Sequence, residues 1–168
     1  MRLLALIGAL AIVVAIGAAV YFFGGFYNVA AAEAEPAPVA WALVKVREAS
    51  VNRHATDQPP AAFNDGAAVQ AGGRAFATRG CINCHGAPGV EWAKFSEGLR
   101  PDPPDLTKIV NDRTPAELFW VVKNGIKMTG MPGFGATGVP DPEIWQIAAF
   151  LKKLPSVSEA DFKAWTAR

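Results

Sequence analysis

The longest apolar run in the chain is its beginning. Residues 3–23, Leu3 to Phe23, are 21 consecutive uncharged and almost wholly apolar positions. As a helix, at a rise of about 1.5 Å per residue, the run spans about 31 Å, close to the hydrocarbon thickness of a bilayer. The pattern predicts a single N-terminal transmembrane helix in an anchor region covering 1–27. Tyr21, Phe22, Phe23, Phe26 and Tyr27 cluster near its outer end, as aromatic residues do at a membrane interface. The rival reading is a cleaved secretory signal, whose apolar core runs roughly 7–15 residues, shorter than this one. Ala30-Ala31-Ala32 offers a small-residue cleavage site for that rival, but an uncleaved anchor is favoured. Arg2 is the one charge ahead of the span and directs the N-terminus inward.

The pattern then changes period. Asn28 to Pro38 is rich in Ala, Glu and Pro and reads as a connector within a linker region, 28–65. From Val39 to Arg53, Val39, Ala42, Leu43, Val46 and Ala49 or Ser50 recur at three- and four-residue steps, with Lys45, Glu48 and Asn52 elsewhere. This is the signature of an amphipathic helix. Two roles fit it: a helix packed on its own domain or serving as a stalk, and a helix for a partner subunit or the membrane surface. Asp57-Gln58-Pro59-Pro60 marks a second break.

Residues 66–155 read as one domain, followed by a tail, 156–168. Asp65 is placed to cap a helix from about Gly66 to Arg79. Gly72 shares a face with Phe76, and Gly72-Gly73 signals close approach of another helix. A C-terminal helix is expected from Asp141 as N-cap, Pro142 at the first helical position and Glu143 in the first turn. Ile144, Ile147, Ala148 and Leu151 line one face, Trp145 and Phe150 add bulk, Lys152 and Lys153 suit the negative end, and Pro155 follows. Trp145 is the side chain expected to fill the gap at Gly72. A third helix begins with the capping box Thr114-Pro115-Ala116-Glu117, carries Leu118, Phe119, Val121 and Val122, and stops at Asn124-Gly125. The long stretch between His85 and Thr114 holds Pro88, Pro101, Pro103 and Pro104. A loop of that length in a small domain implies a function.

Composition narrows the partners. The chain is 51% apolar and 18% charged with a formal net charge of +1, and no basic block points to nucleic acid. Its two cysteines fall in Cys81-Ile82-Asn83-Cys84-His85. C-x-x-C-H is the c-type haem attachment pattern: two thiols form thioethers to the two vinyl groups, and the adjacent histidine is held beneath the iron. A thioredoxin-type C-x-x-C is expected near a βαβ pattern, and here helix-like sequence, Ala68 to Arg79, precedes it. A structural zinc site needs four ligands, usually as two pairs. A plain disulfide leaves His85 without a role. His54 lies in a polar segment beside a break and reads as a surface histidine.

Around a haem, the proline-rich loop acquires a purpose, with Trp92, Pro103, Pro104 and Leu106 as candidates to line it. Residues 66–168 carry 12 Lys/Arg against 10 Asp/Glu, an excess that two haem propionates would cancel, so no strongly charged docking surface is legible. A sixth iron ligand has to come from far along the chain. Met131, in Lys127-Met128-Thr129-Gly130-Met131-Pro132-Gly133-Phe134, lies in a Gly/Pro-rich loop able to present a thioether, with Pro132 stiffening it. Met128, nearer the helix end, reads as a packing residue.

C-x-x-C-H after a helix, Pro104-Asp105-Leu106, Met131-Pro132-Gly133-Phe134 and an aromatic C-terminal helix together resemble a class I c-type cytochrome over about 66–155. The resemblance implies an all-α fold around one covalent haem c, with crossed N- and C-terminal helices. It implies iron ligation by His85 and Met131, attachment at Cys81 and Cys84, and contacts from Pro104 and Leu106. It also implies that a proline carbonyl, Pro104 or its neighbour Pro103, accepts the N–H of His85 and fixes its orientation.

The function expected is single-electron transfer with no catalysis of its own, since protein ligands at both axial positions leave iron no room for substrate. The expected setting is the cytoplasmic membrane, single-pass, with the haem domain facing the periplasm, where C-x-x-C-H maturation takes place. Partners would be the membrane and redox proteins: a quinol-oxidising complex, a terminal oxidase or a dehydrogenase. The same chemistry also suits a fixed subunit of a respiratory or dehydrogenase complex, attached through the anchor and residues 39–54. An open-iron enzyme or gas sensor is the third possibility, against which the Met131 loop argues. Lys94, Lys123 and Lys127 are candidate docking cations.

Overall fold

The structure is a computed structural model that describes residues 2–167. Met1, the first residue of the expected anchor region, and Arg168, the last of the expected tail, lie outside the described residues. The chain divides after Ala34 into two units, each taken by itself.

In the first unit, α1 (Arg2–Phe23) is one uninterrupted helix with no buried residue. It is long and apolar enough to cross a membrane, a test that a signal sequence also passes. After it the Gly24 N–H donates to the Val20 carbonyl (2.8 Å) and the Tyr27 N–H to the Tyr21 carbonyl (3.1 Å). This turn brings the Tyr27 ring to 5.1 Å from Phe22 and 6.1 Å from Tyr21. Of the five aromatic residues foreseen at the outer end, Tyr21, Phe22 and Tyr27 pack on one another, whereas Phe23 and Phe26 are exposed.

The second unit is helical throughout, with no strand among the described residues, as an all-α class requires. It contains α2 (Ala37–His54), α3 (Gly66–Thr78), α4 (Ile82–His85), α5 (Leu106–Ile109), α6 (Pro115–Asn124), α7 (Asp141–Lys153) and α8 (Glu159–Thr166). The core lies where α3, α6 and α7 meet: Phe76, Phe119, Ile144, Ile147 and Phe150 are all essentially inaccessible to solvent. Their burial supplies most of the driving force for a helix of ten to thirteen residues that would be marginal alone.

The most extensive helix pair is α3 with α7, and glycine sets its distance. A Cβ on Gly72 would lie 1.9 Å from the Gln146 carbonyl oxygen and 2.9 Å from the Phe150 Cβ. The gap is therefore filled by the α7 backbone and Phe150, which corrects the expectation of Trp145. Where two backbones come this close there is no depth for an indole. Trp145 turns aside, stacks on Phe119 (4.1 Å, 9°) and meets Phe63 edge-on (5.9 Å, 88°).

Three further expectations shift. Helix α7 begins at Asp141 itself, one residue earlier than expected, and the Asp141 carboxylate pairs with Lys123 (2.7 Å) instead of capping. Asp65 stands at the N-cap of α3 but its side chain makes no cap bond. In α2 the middle of the foreseen stripe faces outward: Ala42, Leu43 and Val46 are exposed, Val46 by 67%, while Val39 and Ser50 at its ends are half-buried. The buried residue is Val51, flanked by half-buried Arg47 and Glu48. Apolar periodicity misjudges a helix whose packed face carries an Arg and a Glu.

The capping box of α6 is present in full. Thr114 Oγ1 accepts the Glu117 N–H (3.2 Å) and Glu117 Oε2 accepts the Thr114 N–H (2.6 Å). Gly125, at φ +68°, ends the helix. Beyond residue 155 the chain does not trail off. Ser158 caps α8, Phe162 is buried, and Trp165 lies 3.1 Å from the Cβ position of Gly73.

Candidate functional site

Between α2, α6, α7 and the proline-rich loop lies a cavity of about 490 Å³, within the size range of small-molecule and cofactor sites. Its lining is largely apolar: Leu99, Leu106, Leu118, Val122, Ile147 and Leu151 among others. Cys81, Cys84 and His85 open onto the same cavity, and so do Pro104 and Met131. The six residues that the resemblance assigns to the cofactor, Cys81, Cys84, His85, Pro104, Leu106 and Met131, thus line one space.

The cysteine segment is a single helical turn. The amides of Cys84 and His85 both donate to the Cys81 carbonyl (3.2 and 3.0 Å), and Gly86 N–H closes the turn on Ile82. Residues three apart on a turn share a face, so Cys81 and Cys84 are presented side by side. Burial pushes the Cys81 thiol up to about 12. That is the reverse of a reactive C-x-x-C thiol, which has a depressed pKa, and it suits sulfur atoms destined to be uncharged thioethers. Among the described residues no group of three or more His, Cys, Asp or Glu is placed to hold a metal ion.

His85 Nδ1 lies 3.0 Å from the Pro104 carbonyl oxygen. A carbonyl only accepts, so Nδ1 carries the proton and donates it, leaving Nε2 with its lone pair. Burial lowers the pKa of His85, partly opposed by the Pro104 bond, and the ring is held neutral as a metal ligand must be. The Pro104 carbonyl is itself fixed by the next residue. Asp105 caps α5, its Oδ1 accepting the Thr107 N–H (3.0 Å) and hydroxyl (2.6 Å). Those bonds, with Lys108 nearby, hold the Asp105 carboxyl below the usual aspartate range.

The Met131 loop is positioned differently. Gly125 and Gly133 face one another: a Cβ on Gly125 would lie 2.6 Å from Gly133 N and 2.7 Å from the Met131 carbonyl oxygen. Within the loop, Thr129 Oγ1 accepts the Met131 N–H (3.1 Å) and donates to the Ile126 carbonyl (2.8 Å). The Phe134 N–H returns to Val122 of α6 (3.1 Å). Met131 is half-buried against the core, whereas Met128, at φ +60°, is 82% exposed and does not line the cavity.

Trp92, expected in the lining, is 53% exposed and outside it; Phe95 is the aromatic residue of that loop at the cavity. Sequence reasoning also passed over Thr129, Ile126 and Leu99, whose role depends on how the loops meet. His54 is exposed, bonded to Ser50 O (2.8 Å) and stacked on Trp120. Of the candidate docking cations, Lys94 pairs with Glu97 and Lys123 with Asp141. Lys152, expected only to suit the end of α7, donates to the carbonyls of Val110 and Arg113 (2.9 Å each) and ties down the end of the proline-rich loop.

The residues fit a haem: a large apolar space, a neutral imidazole with a free nitrogen, a thioether on the lining, and two adjacent thiols. Comparison with known proteins agrees. No curated protein and no solved structure matches the chain. Residues 67–151 match the family model described as cytochrome c oxidase, cbb3-type, subunit III, half of the chain and most of the helical unit around the cavity. The chain accordingly belongs to this family of c-type cytochrome domains, and is a class I c-type cytochrome of the electron-transfer kind.

Proposed function

We propose that the protein is a membrane-anchored, single-haem electron carrier on the outer, periplasmic face of the cytoplasmic membrane. The observation that carries this reading is the convergence of Cys81, Cys84, His85 and Met131 on one cavity, with Nδ1 of His85 already committed to Pro104. Cys81 and Cys84 would hold haem c through thioethers, and His85 and Met131 would be the protein's ligands to its iron. Bound there, haem c supplies an iron that accepts and releases one electron.

The chain's own residues keep that exchange inexpensive in reorganisation. Pro104 holds the His85 ring in one tautomer and orientation. Thr129 and the Gly125–Gly133 contact hold the Met131 backbone. The apolar lining keeps water away, and a thioether ligand favours the reduced state, raising the potential. The apolar helix α1 supports anchoring, and a tether raises the local concentration at membrane redox partners. The description of the matched family as an oxidase subunit favours a second reading: the same chemistry in a subunit held permanently within a respiratory complex.

Optical spectroscopy of the purified protein tests the proposal. Haem should remain with the polypeptide after denaturation, and the ferric protein should show the sulfur–iron absorption band. Met131→Ala should lose that band and fall in potential, while Met128→Ala keeps both. Retention of the band in Met131→Ala overturns the ligand assignment. Native purification from membranes separates the two settings: migration as a lone small haem protein supports the carrier, co-migration with other subunits the complex.

A further inference from the structure

Helix α2 precedes the residues matched to the family, 67–151, and in sequence it reads as a linker. In the structure it is part of the cavity wall. Arg47, Glu48 and Val51, on one face of α2, all contribute to the lining, with Val51 only 5% exposed. The helix is held against α6, where His54 stacks on Trp120 at 6.0 Å.

The charges around the cavity are matched with one exception. Three guanidinium groups line it: Arg47, Arg79 and Arg113. Arg79 makes a two-bond contact with Glu143 (2.7 and 3.0 Å), and Arg113 faces Glu117 at 3.9 Å. Of the lining acids, Glu48 pairs with Lys45 and Asp102 with Arg100. Arg47 has no ion pair or hydrogen bond among those of the described residues. A half-buried cation at the wall of an apolar cavity, without a counter-charge, is costly unless a ligand supplies one. The ligand must then be large and apolar and carry an anionic group.

Resting on the haem reading above, we infer that Arg47 binds a propionate carboxylate of the haem, and that α2 is a wall of the cofactor site. A planar guanidinium presents two parallel N–H donors to a carboxylate. Its positive charge would also favour the reduced iron.

The test uses the full-length protein carrying Arg47→Gln, Arg47→Lys or Arg53→Gln. Arg53 lies on the same helix but outside the lining. Arg47→Gln should lower the midpoint potential by an amount equal to a roughly three- to tenfold change in the reduction equilibrium. It should also shift the propionate bending band in resonance Raman spectra. Arg47→Lys should keep most of the potential but still alter the band, because an ammonium is a single point donor. Arg53→Gln should change neither. Wild-type potential and band in Arg47→Gln overturn the inference. If Arg47→Gln yields too little protein, an unaltered band in Arg47→Lys overturns it instead. Absence of covalent haem from the wild type is a different result, and overturns the haem reading itself.

Discussion

The two residues proposed as iron ligands are placed by opposite means. His85 sits on a turn whose geometry is local, and one long-range bond, to Pro104, aims its ring. Met131 sits in a loop with no helix of its own, braced by Thr129 within and by the Gly125–Gly133 approach at its base. A side chain on a turn needs only its orientation fixed, whereas a side chain on a loop needs its backbone fixed first. The Met131 side should therefore be the more fragile of the two, and the easier to detach without unfolding the rest.

The largest test of that contrast is Gly125→Ala. The new Cβ meets backbone atoms at 2.6 Å at a φ of +68°, costing about 3 kcal/mol. Urea denaturation should show that loss, and the sulfur–iron band should weaken even in protein that stays folded. Next comes Asp105→Ala on the other side. Loss of the cap on α5 should cost about 1 kcal/mol at neutral pH and leave the sulfur–iron band in place. Because the carboxyl of Asp105 is held below its usual range, this cap stabilises above the ordinary aspartate pKa of about 3.9. The benefit is lost as pH falls through the folded-state value, so the difference between wild type and variant should shrink in acid. The smallest effect is expected from Thr129→Val, which removes one loop brace. Stability should fall by roughly 0.5–1 kcal/mol, but added imidazole should displace Met131 at lower concentration than in wild type. Equal resistance to imidazole in wild type and Thr129→Val would remove the contrast.

The parts legible in the sequence are those decided by near neighbours. The Thr114–Glu117 box involves residues three apart, and both of its bonds form. The C-x-x-C-H motif, the stop at Gly125 and the apolar face of α7 are local in the same sense. What stayed hidden depends on how distant segments meet. Gly72 announces a close approach, but its occupant depends on the offset between α3 and α7, and proved to be the Gln146 carbonyl with Phe150. Trp92 and Phe95 are equally plausible lining residues until the loop is folded. Helix α2 was found by its period, yet its packed face was misjudged, because Arg47 and Glu48 turn inward toward a cavity that only the assembled unit creates.

The place of α3 in this topology bears on what holds the cysteine turn. Its buried face is covered by α7 and α8, and the ring of Trp165 comes to rest beside Gly73. These covering helices lie roughly 70 to 90 residues further along the chain, so the packing of α3 depends on contacts of large sequence separation. The Cys81–His85 segment directly follows α3. The cysteine turn is therefore local in its own geometry but distant in its support, held in place by helices that follow it by more than fifty residues.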